Sequence, residues 1–319
     1  MDIKIAVLDA RTLDRGDISW QAVEKLGTLA RHEHLTPEAF QTRLGDVPLI
    51  LTNKIIIDAG VMDKLPALRY IGVLATGYNN IDIAAAGERG IVVCNVPAYS
   101  TSSVAQMVFA YILHFSQQVA LHSKAVKEGG WARSPEFCFW EKPLAELKGQ
   151  SLGIVGYGAI GKQVARLARA FDMRVLVHTR RAVSGGDDRL FPVDRDTLFR
   201  QSDFLSLHCP LTEDTREMVN ERTLSLMKQS AVLINTGRGG LIDEGALDKA
   251  LRARRLRAAA LDVLGTEPPP PDHPLVANPH TLITPHIAWA TRQARQRLVD
   301  MAAENIRAFL EGTPQNRLV

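Results

Sequence analysis

Short apolar runs alternate with longer stretches of helical period along the whole chain. In the first hundred residues the runs at 3–8, 49–52, 70–74 and 91–95 read as strands, with helical segments between them. From Thr101 a long helical pattern begins. Val104, Val108, Tyr111, Ile112 and Phe115 share one of its faces, and Ser100, Ser102 and Ser103 suit its start. Six further strand-like runs follow, at 151–155, 174–178, 204–208, 231–235, 258–262 and 281–284, and a last helix covers 291–310. Strands that alternate with helices predict an α/β fold with a mainly parallel sheet. Six runs with helical connections suit a doubly wound sheet. Pro268-Pro269-Pro270-Pro271 makes a rigid break between the fifth and sixth of these runs.

Composition narrows the picture. A chain of 319 residues with 46% hydrophobic and 23% charged positions is long for one domain and suits two, each with its own core. The net charge of +3 comes from 38 basic and 35 acidic residues, a mixture too even to predict a nucleic-acid or membrane partner. No apolar run approaches the length of a membrane helix, and the first nine residues read as a short strand with charges rather than a signal peptide. Cys94, Cys138 and Cys209 stand far apart, which suggests neither a zinc site nor a disulfide framework and fits the cytoplasm. No metal site is expected; His32 and His34 read as a surface pair, and His273 and His280 as caps of the Pro-rich loop.

The sharpest chemical signal is Gly156-Tyr157-Gly158-Ala159-Ile160-Gly161. A strand of buried type leads into it, and Ile160, Val164, Leu167, Ala168 and Phe171 form an apolar helical stripe after it. In such a turn Gly156 permits the tight bend, Gly158 lets a pyrophosphate approach the backbone and Gly161 lets helix and strand pack closely. Free N–H groups at the helix start then face the phosphates. The next strand reaches Thr179-Arg180-Arg181, where NAD enzymes carry a carboxylate for the ribose 2′-hydroxyl. Two guanidiniums at that point suit a 2′-phosphate. The reading favours NADP(H) and leaves NAD(H), or use of both, open.

Three later strands end in polar segments, where a doubly wound sheet places its ligands. They are Asn235-Thr236-Gly237-Arg238-Gly239-Gly240, Asp262-Val263-Leu264-Gly265-Thr266-Glu267, and Pro285-His286. Hydride transfer to the C2 carbonyl of a 2-oxo acid leaves charge on oxygen, which a histidine can meet with a proton. A carboxylate beside the imidazole favours its charged form, which suits Glu267 with His286. A guanidinium fork binds the substrate carboxylate and polarises the carbonyl, which suits Arg238.

Taken together, these motifs resemble the D-2-hydroxyacid dehydrogenases over nearly the whole length. The glycine loop, the N-x-G-R-G turn, the D-V-x-x-x-E-P segment and the P-H pair occur in the family's order. Segments 73–82, 95–106 and 139–144 are similar to those of hydroxypyruvate and glyoxylate reductases (glycerate dehydrogenases). The resemblance implies two Rossmann-like doubly wound domains. A flavodoxin-like substrate domain would hold residues 1–100 and 291–319, and a dinucleotide-binding domain residues 101–290. It implies Arg238, Glu267 and His286 as catalytic residues, with Arg238 and His286 also on the substrate. The Ala75-Thr76-Gly77 loop would hold the substrate carboxylate through backbone N–H groups. Beside the glycine loop and Thr179-Arg180-Arg181, the cofactor would be lined by Cys209, Pro210, Thr215, Thr236, Gly237, Asp262, His286 and Ala288, with Asp262 on the nicotinamide carboxamide. A homodimer is implied. Trp140 would lie at the partner's substrate mouth or pack within the interface.

The sequence also departs from the family pattern. Thr179 replaces the acidic residue of NAD enzymes, and Val104 stands where many relatives carry a hydroxyl. Formate dehydrogenases of this family carry an amide where Glu267 stands, so that activity is not expected. A broad 2-oxo acid reductase and a phosphite dehydrogenase remain alternatives. A cofactor-sensing corepressor remains a third, although the long extensions of such proteins are not seen after the last helix.

Overall fold

The structure is a computed structural model that describes residues 3–180 and 189–319. The chain divides into two compact units, Met1–Ser100 with Trp289–Val319, and Thr101–Ala288.

In the first unit the strands are β1 (Lys4–Val7), β2 (Thr28–Arg31), β3 (Leu49–Thr52), β4 (Tyr70–Val73) and β5 (Val92–Cys94). They pair in parallel in the order β2-β1-β3-β4-β5. That order is flavodoxin-like. Successive side chains of a strand point to opposite faces, so β1 sends Ile5 and Val7 to one core and Ala6 to the other. Helix Arg292–Leu310 covers the first face with Leu298, Val299, Ala302 and Ile306. Phe40, Leu44, Val61 and Met62 cover the second. Both faces are thus buried, as an all-parallel sheet requires. Trp289 belongs here because its ring meets Tyr99 edge-on.

The second unit holds β6 (Ser151–Val155), β7 (Arg174–His178), β8 (Leu190–Pro192), β9 (Phe204–Leu207), β10 (Val232–Asn235), β11 (Ala258–Leu261) and β12 (Thr281–Ile283). All pair in parallel in the order β12-β11-β10-β9-β6-β7-β8. The strand order reverses between β6 and β9, and the carboxyl ends there are where such sheets bind ligands. Helices Thr101–Gln117 and Ala159–Ala170 cover one face; Val108, Tyr111, Ile112, Val164 and Ala168 enter that core. Leu224, Leu241, Leu247 and Leu251 cover the other. No single helix among the described residues is long and apolar enough to cross a membrane.

The architecture is the expected one, two parallel-sheet α/β units, with two strands beyond the sequence reading. The second sheet has seven strands rather than six. The extra one, Leu190–Pro192, is a three-residue edge strand, at most half-buried, and too short to show a period. Thr28–Arg31 is likewise an edge strand, exposed at three of its four positions and without an apolar alternation.

His273 stands at the N-cap position of the short helix Pro274–Ala277 in the Pro-rich loop, but its side chain makes no capping hydrogen bond. His273 is buried, and its Nε2 meets Glu244 Oε2 at 3.2 Å. Asn278 instead turns the loop, its Oδ1 accepting from the His280 amide at 2.9 Å. An anionic partner on the neighbouring helix draws the His273 ring inward.

Candidate active site

The glycine loop follows β6 directly. Gly156 has φ +91, and a Cβ there would lie 2.7 Å from the His208 carbonyl oxygen. Only glycine fits a turn that is both left-handed and pressed against the loop after β9. Gly158 precedes helix Ala159–Ala170 with no side-chain cap, and among the described residues a Cβ on it would meet nothing within 4 Å. The first amides of that helix, with Ala159 exposed and Ile160 half-buried, therefore face open space. Gly161 is buried where the helix crosses the Gly156 carbonyl. An uncapped helix N-terminus above a glycine turn fits a pyrophosphate.

The rim beside this loop carries the other expected cofactor residues. Arg180 is exposed just beyond β7. Its positive charge acts on the Cys209 thiol, drawing it down while burial, the larger effect, pushes it up. Thr179 is half-buried, and Arg181 lies outside the described residues. Pro210 is exposed; its carbonyl accepts from the Thr215 hydroxyl at 2.7 Å, and that hydroxyl in turn accepts from the Thr212 amide at 2.8 Å. Thr215 thus shapes the loop from within. Thr236 Oγ1, after β10, is buried with no hydrogen-bond partner among the described residues, the condition of a polar atom that a ligand would satisfy.

Arg238 sits in a turn built by Asn235. The Asn235 side chain accepts from the Gly237 amide at 3.0 Å and donates to the Arg238 carbonyl at 2.9 Å. This Asx-type turn leaves the guanidinium exposed, with one bond to the Gly237 carbonyl at 2.8 Å. Asn235 is fully buried and was not among the expected site residues, although an Asn two residues before a Gly is the signal of such a turn.

His286 and Glu267 come together. The imidazole Nδ1 lies 2.6 Å from Glu267 Oε2, with both side chains about one-third exposed or less. Glu267 Oε1 also accepts from the Leu264 amide at 3.0 Å, which fixes the carboxylate in its own loop. With Nδ1–H donated to the carboxylate, Nε2 is the ring atom that would exchange a proton with a ligand. The adjacent amide of Gly265 is held by Glu244 Oε1 at 2.7 Å. Glu244, with His273, therefore braces the loop from behind, a role the sequence pattern did not suggest.

Asp262 closes the arrangement at the end of β11. It is 2% exposed. Its carboxylate accepts from the amides of Ile287 at 2.9 Å and Ala288 at 2.8 Å, and from the Thr284 hydroxyl at 2.5 Å. Ser103 does not cap its helix; its hydroxyl donates to the Ala288 carbonyl at 2.6 Å.

In the first unit, the loop Ala75-Thr76-Gly77 follows β4. It is tied to the end of β5: the Thr76 hydroxyl donates to the Val96 carbonyl at 3.0 Å, and Asn95 Nδ2 donates to the Thr76 carbonyl at 2.7 Å. Among the described residues the Thr76 and Gly77 amides have no acceptor. Among the described residues no group of three His, Cys, Asp or Glu is placed to hold a metal.

Residues 109–288 match the family model described as D-isomer specific 2-hydroxyacid dehydrogenase, NAD binding domain. The chain is 40% identical to a hydroxypyruvate reductase of Blautia hydrogenotrophica, over 98% of this chain and 99% of that one. It is 41% identical to a glyoxylate reductase of Aeropyrum pernix, over 85% and 81% of the two chains. Among solved structures, an acyclic imino acid reductase in complex with NADPH and D-arginine superimposes with a TM-score of 0.84 at 30% identity, covering 99% of this chain and 100% of that one.

Proposed function

Because the chain belongs to the D-isomer specific 2-hydroxyacid dehydrogenase family, we propose that it reduces small 2-oxo acids, hydroxypyruvate and glyoxylate foremost, to D-glycerate and glycolate. The observation that carries the reading is the 2.6 Å pair of His286 Nδ1 and Glu267 Oε2, on a loop packed against the Arg238 turn.

The bound nicotinamide supplies the hydride that reduces C2. His286 Nε2 gives its proton to the carbonyl oxygen as charge develops there. Glu267 accepts the Nδ1–H bond, fixes the tautomer and stabilises the imidazolium before transfer. Arg238 binds the substrate carboxylate and polarises the carbonyl. The Thr76 and Gly77 amides, with Ala75 in their loop, are backbone donors suited to a carboxylate.

The glycine loop would hold the cofactor, with the free amides at the start of helix Ala159–Ala170 available to its pyrophosphate. Cys209, Pro210, Thr236 and Gly237 line it, Thr215 shapes its wall, and Asp262 and Ala288 hold the nicotinamide side. Arg180 and Arg181 receive the 2′-phosphate, so NADPH is the preferred donor. The exposed Arg180 and the absence of a carboxylate at the end of β7 support this. The NADPH of the imino acid reductase complex belongs to a protein of the same fold.

The working unit is a homodimer in the cytoplasm. Its interface is supported by the exposed apolar side chains Val119, Val126, Trp131, Phe137, Trp140 and Leu144. The deciding experiment is steady-state oxidation of NADPH and NADH with hydroxypyruvate, glyoxylate, pyruvate and a bulkier 2-oxo acid. Fast turnover of the first two with NADPH is expected. Turnover only of the bulky acid would replace the substrate assignment, and an NADH preference would replace the cofactor assignment.

A further inference from the structure

The segment that carries His286 is gripped by one helix face at both ends. At its start the Tyr111 hydroxyl lies 2.5 Å from Thr284 Oγ1, and that hydroxyl lies 2.5 Å from Asp262 Oδ1. At its end the Ser103 hydroxyl donates to the Ala288 carbonyl at 2.6 Å. Tyr111 and Ser103 both belong to helix Thr101–Gln117. Between the two ties, His286 takes φ +53, a left-handed conformation unfavourable for a residue with a Cβ. Asp262 holds it there. Its main-chain carbonyl accepts from the His286 amide at 2.8 Å, and its carboxylate takes the next two amides.

The direction of the hydroxyl chain follows from the donors available. A carboxylate only accepts, so the Thr284 hydroxyl must donate to Asp262. Its lone pairs then face Tyr111, whose hydroxyl must donate to Thr284. Tyr111 is 3% exposed, and burial pushes its phenol up to about 12, so it remains a donor throughout the working range. Asp262 Oδ1 has both lone-pair positions filled, by Thr284 and Ile287, while Oδ2 keeps one position beside Ala288.

We propose that Tyr111 and Thr284 form a hydroxyl relay that locks the Asp262 carboxylate and thereby aims His286 at its proton-transfer position. Both are positioning residues; neither is assigned a contact with substrate or cofactor. The proposal rests on the reading of His286 as the acid/base. Tyr111 does more than fill the core, where a phenylalanine would serve as well. Its hydroxyl removes the rotational freedom of Thr284, and Thr284 removes that of Asp262. Misplacing a reacting group by about 1 Å is enough to cost about 100-fold in rate, so even a partial loosening is measurable.

The test uses the holoenzyme with Tyr111→Phe, Thr284→Val, Thr284→Ser and the Tyr111→Phe/Thr284→Val double variant. Tyr111→Phe keeps the ring, and Thr284→Val keeps the shape. Each is expected to lower kcat roughly ten-fold with the KM for the 2-oxo acid little changed. Thr284→Ser restores the wild-type kcat. The double variant is no slower than Thr284→Val alone, because both break one chain. Amide exchange at Ile287 and Ala288 speeds up in Tyr111→Phe, a readout independent of turnover. Additive losses in the double variant, or failure of Thr284→Ser to restore the rate, overturn the relay. The two readings fail separately. If His286→Ala keeps turnover, the assignment of His286 falls. If His286→Ala is inactive yet Tyr111→Phe leaves kcat and the two exchange rates unchanged, the relay alone falls.

Discussion

Gly239 presses on Leu264 so closely that a Cβ at residue 239 would stand 2.0 Å from the Leu264 carbonyl carbon. One of these residues follows Arg238 in the turn after β10. The other lies three before Glu267 and donates its amide to that carboxylate at 3.0 Å. The contact therefore sets the Arg238 turn and the Glu267 loop against each other through backbone, with no side chain to adjust between them. The Arg238 turn and the carboxylate partner of His286 are held in register by the absence of one methyl group.

Gly239→Ala is accordingly expected to displace one of the two loops. Overpacking against backbone costs on the order of 1–3 kcal/mol, and the displaced site should lose at least roughly 100-fold in kcat/KM. Thermal melting and steady-state kinetics on the same sample check this. A variant with wild-type kcat/KM would show that the close approach does not position the site.

Glu267→Gln keeps a hydrogen-bond acceptor for His286 Nδ1–H and removes only the charge. Turnover in the direction of reduction should fall by roughly 100-fold, while cofactor affinity, measured by fluorescence titration, changes little. His286→Ala should fall further, with cofactor affinity also retained. Loss of cofactor binding in both variants would mean that the pair holds the fold of the site rather than the proton.

The sequence was most legible where chemistry and period coincide. Buried parallel strands such as 49–52 and 151–155 are continuous apolar runs bounded by polar turns, so their limits matched the structure. The Arg238, Glu267 and His286 segments were found because each follows such a strand directly. Edge strands at 28–31 and 190–192 escaped notice, because an edge is paired on one side only and needs little burial to form. The bracing residues escaped for a different reason. Tyr111 was placed on an apolar helix face, where its hydroxyl is silent, and its partner Thr284 lies 173 positions away. His273 read as a loop residue because nothing local reveals Glu244, 29 positions earlier, as its partner. Periodicity reports which face is buried; it does not report which polar atoms on that face meet.

Arg180 is exposed beyond β7, one residue after Thr179, which stands where NAD enzymes carry a carboxylate that would repel a 2′-phosphate. Arg180→Ala should raise the KM for NADPH about ten-fold or more, the loss of a charge-assisted pair, and leave the KM for NADH nearly unchanged. A paired titration with both cofactors decides it. Equal effects on the two would remove Arg180 from the 2′-phosphate and leave cofactor preference to other residues.

His208, just after β9, gives the protein an acid-sensitive element apart from the His286–Glu267 pair. Burial lowers its imidazole from 6.5 to about 4, and its Nε2 lies 2.9 Å from the Ser206 hydroxyl. The folded state therefore keeps the ring neutral, whereas the unfolded chain takes up a proton near 6.5. Since the unfolded state binds more protons across this interval, stability rises with pH there. It is fully present above about 6.5 and is lost as pH falls toward 4, by up to roughly 3 kcal/mol. His208→Gln keeps a polar group for Ser206 and cannot take up that proton. Its thermal midpoint should therefore fall less steeply than that of the unaltered protein between pH 6.5 and 4. Parallel melting curves for the two proteins would show that the acid sensitivity has another source.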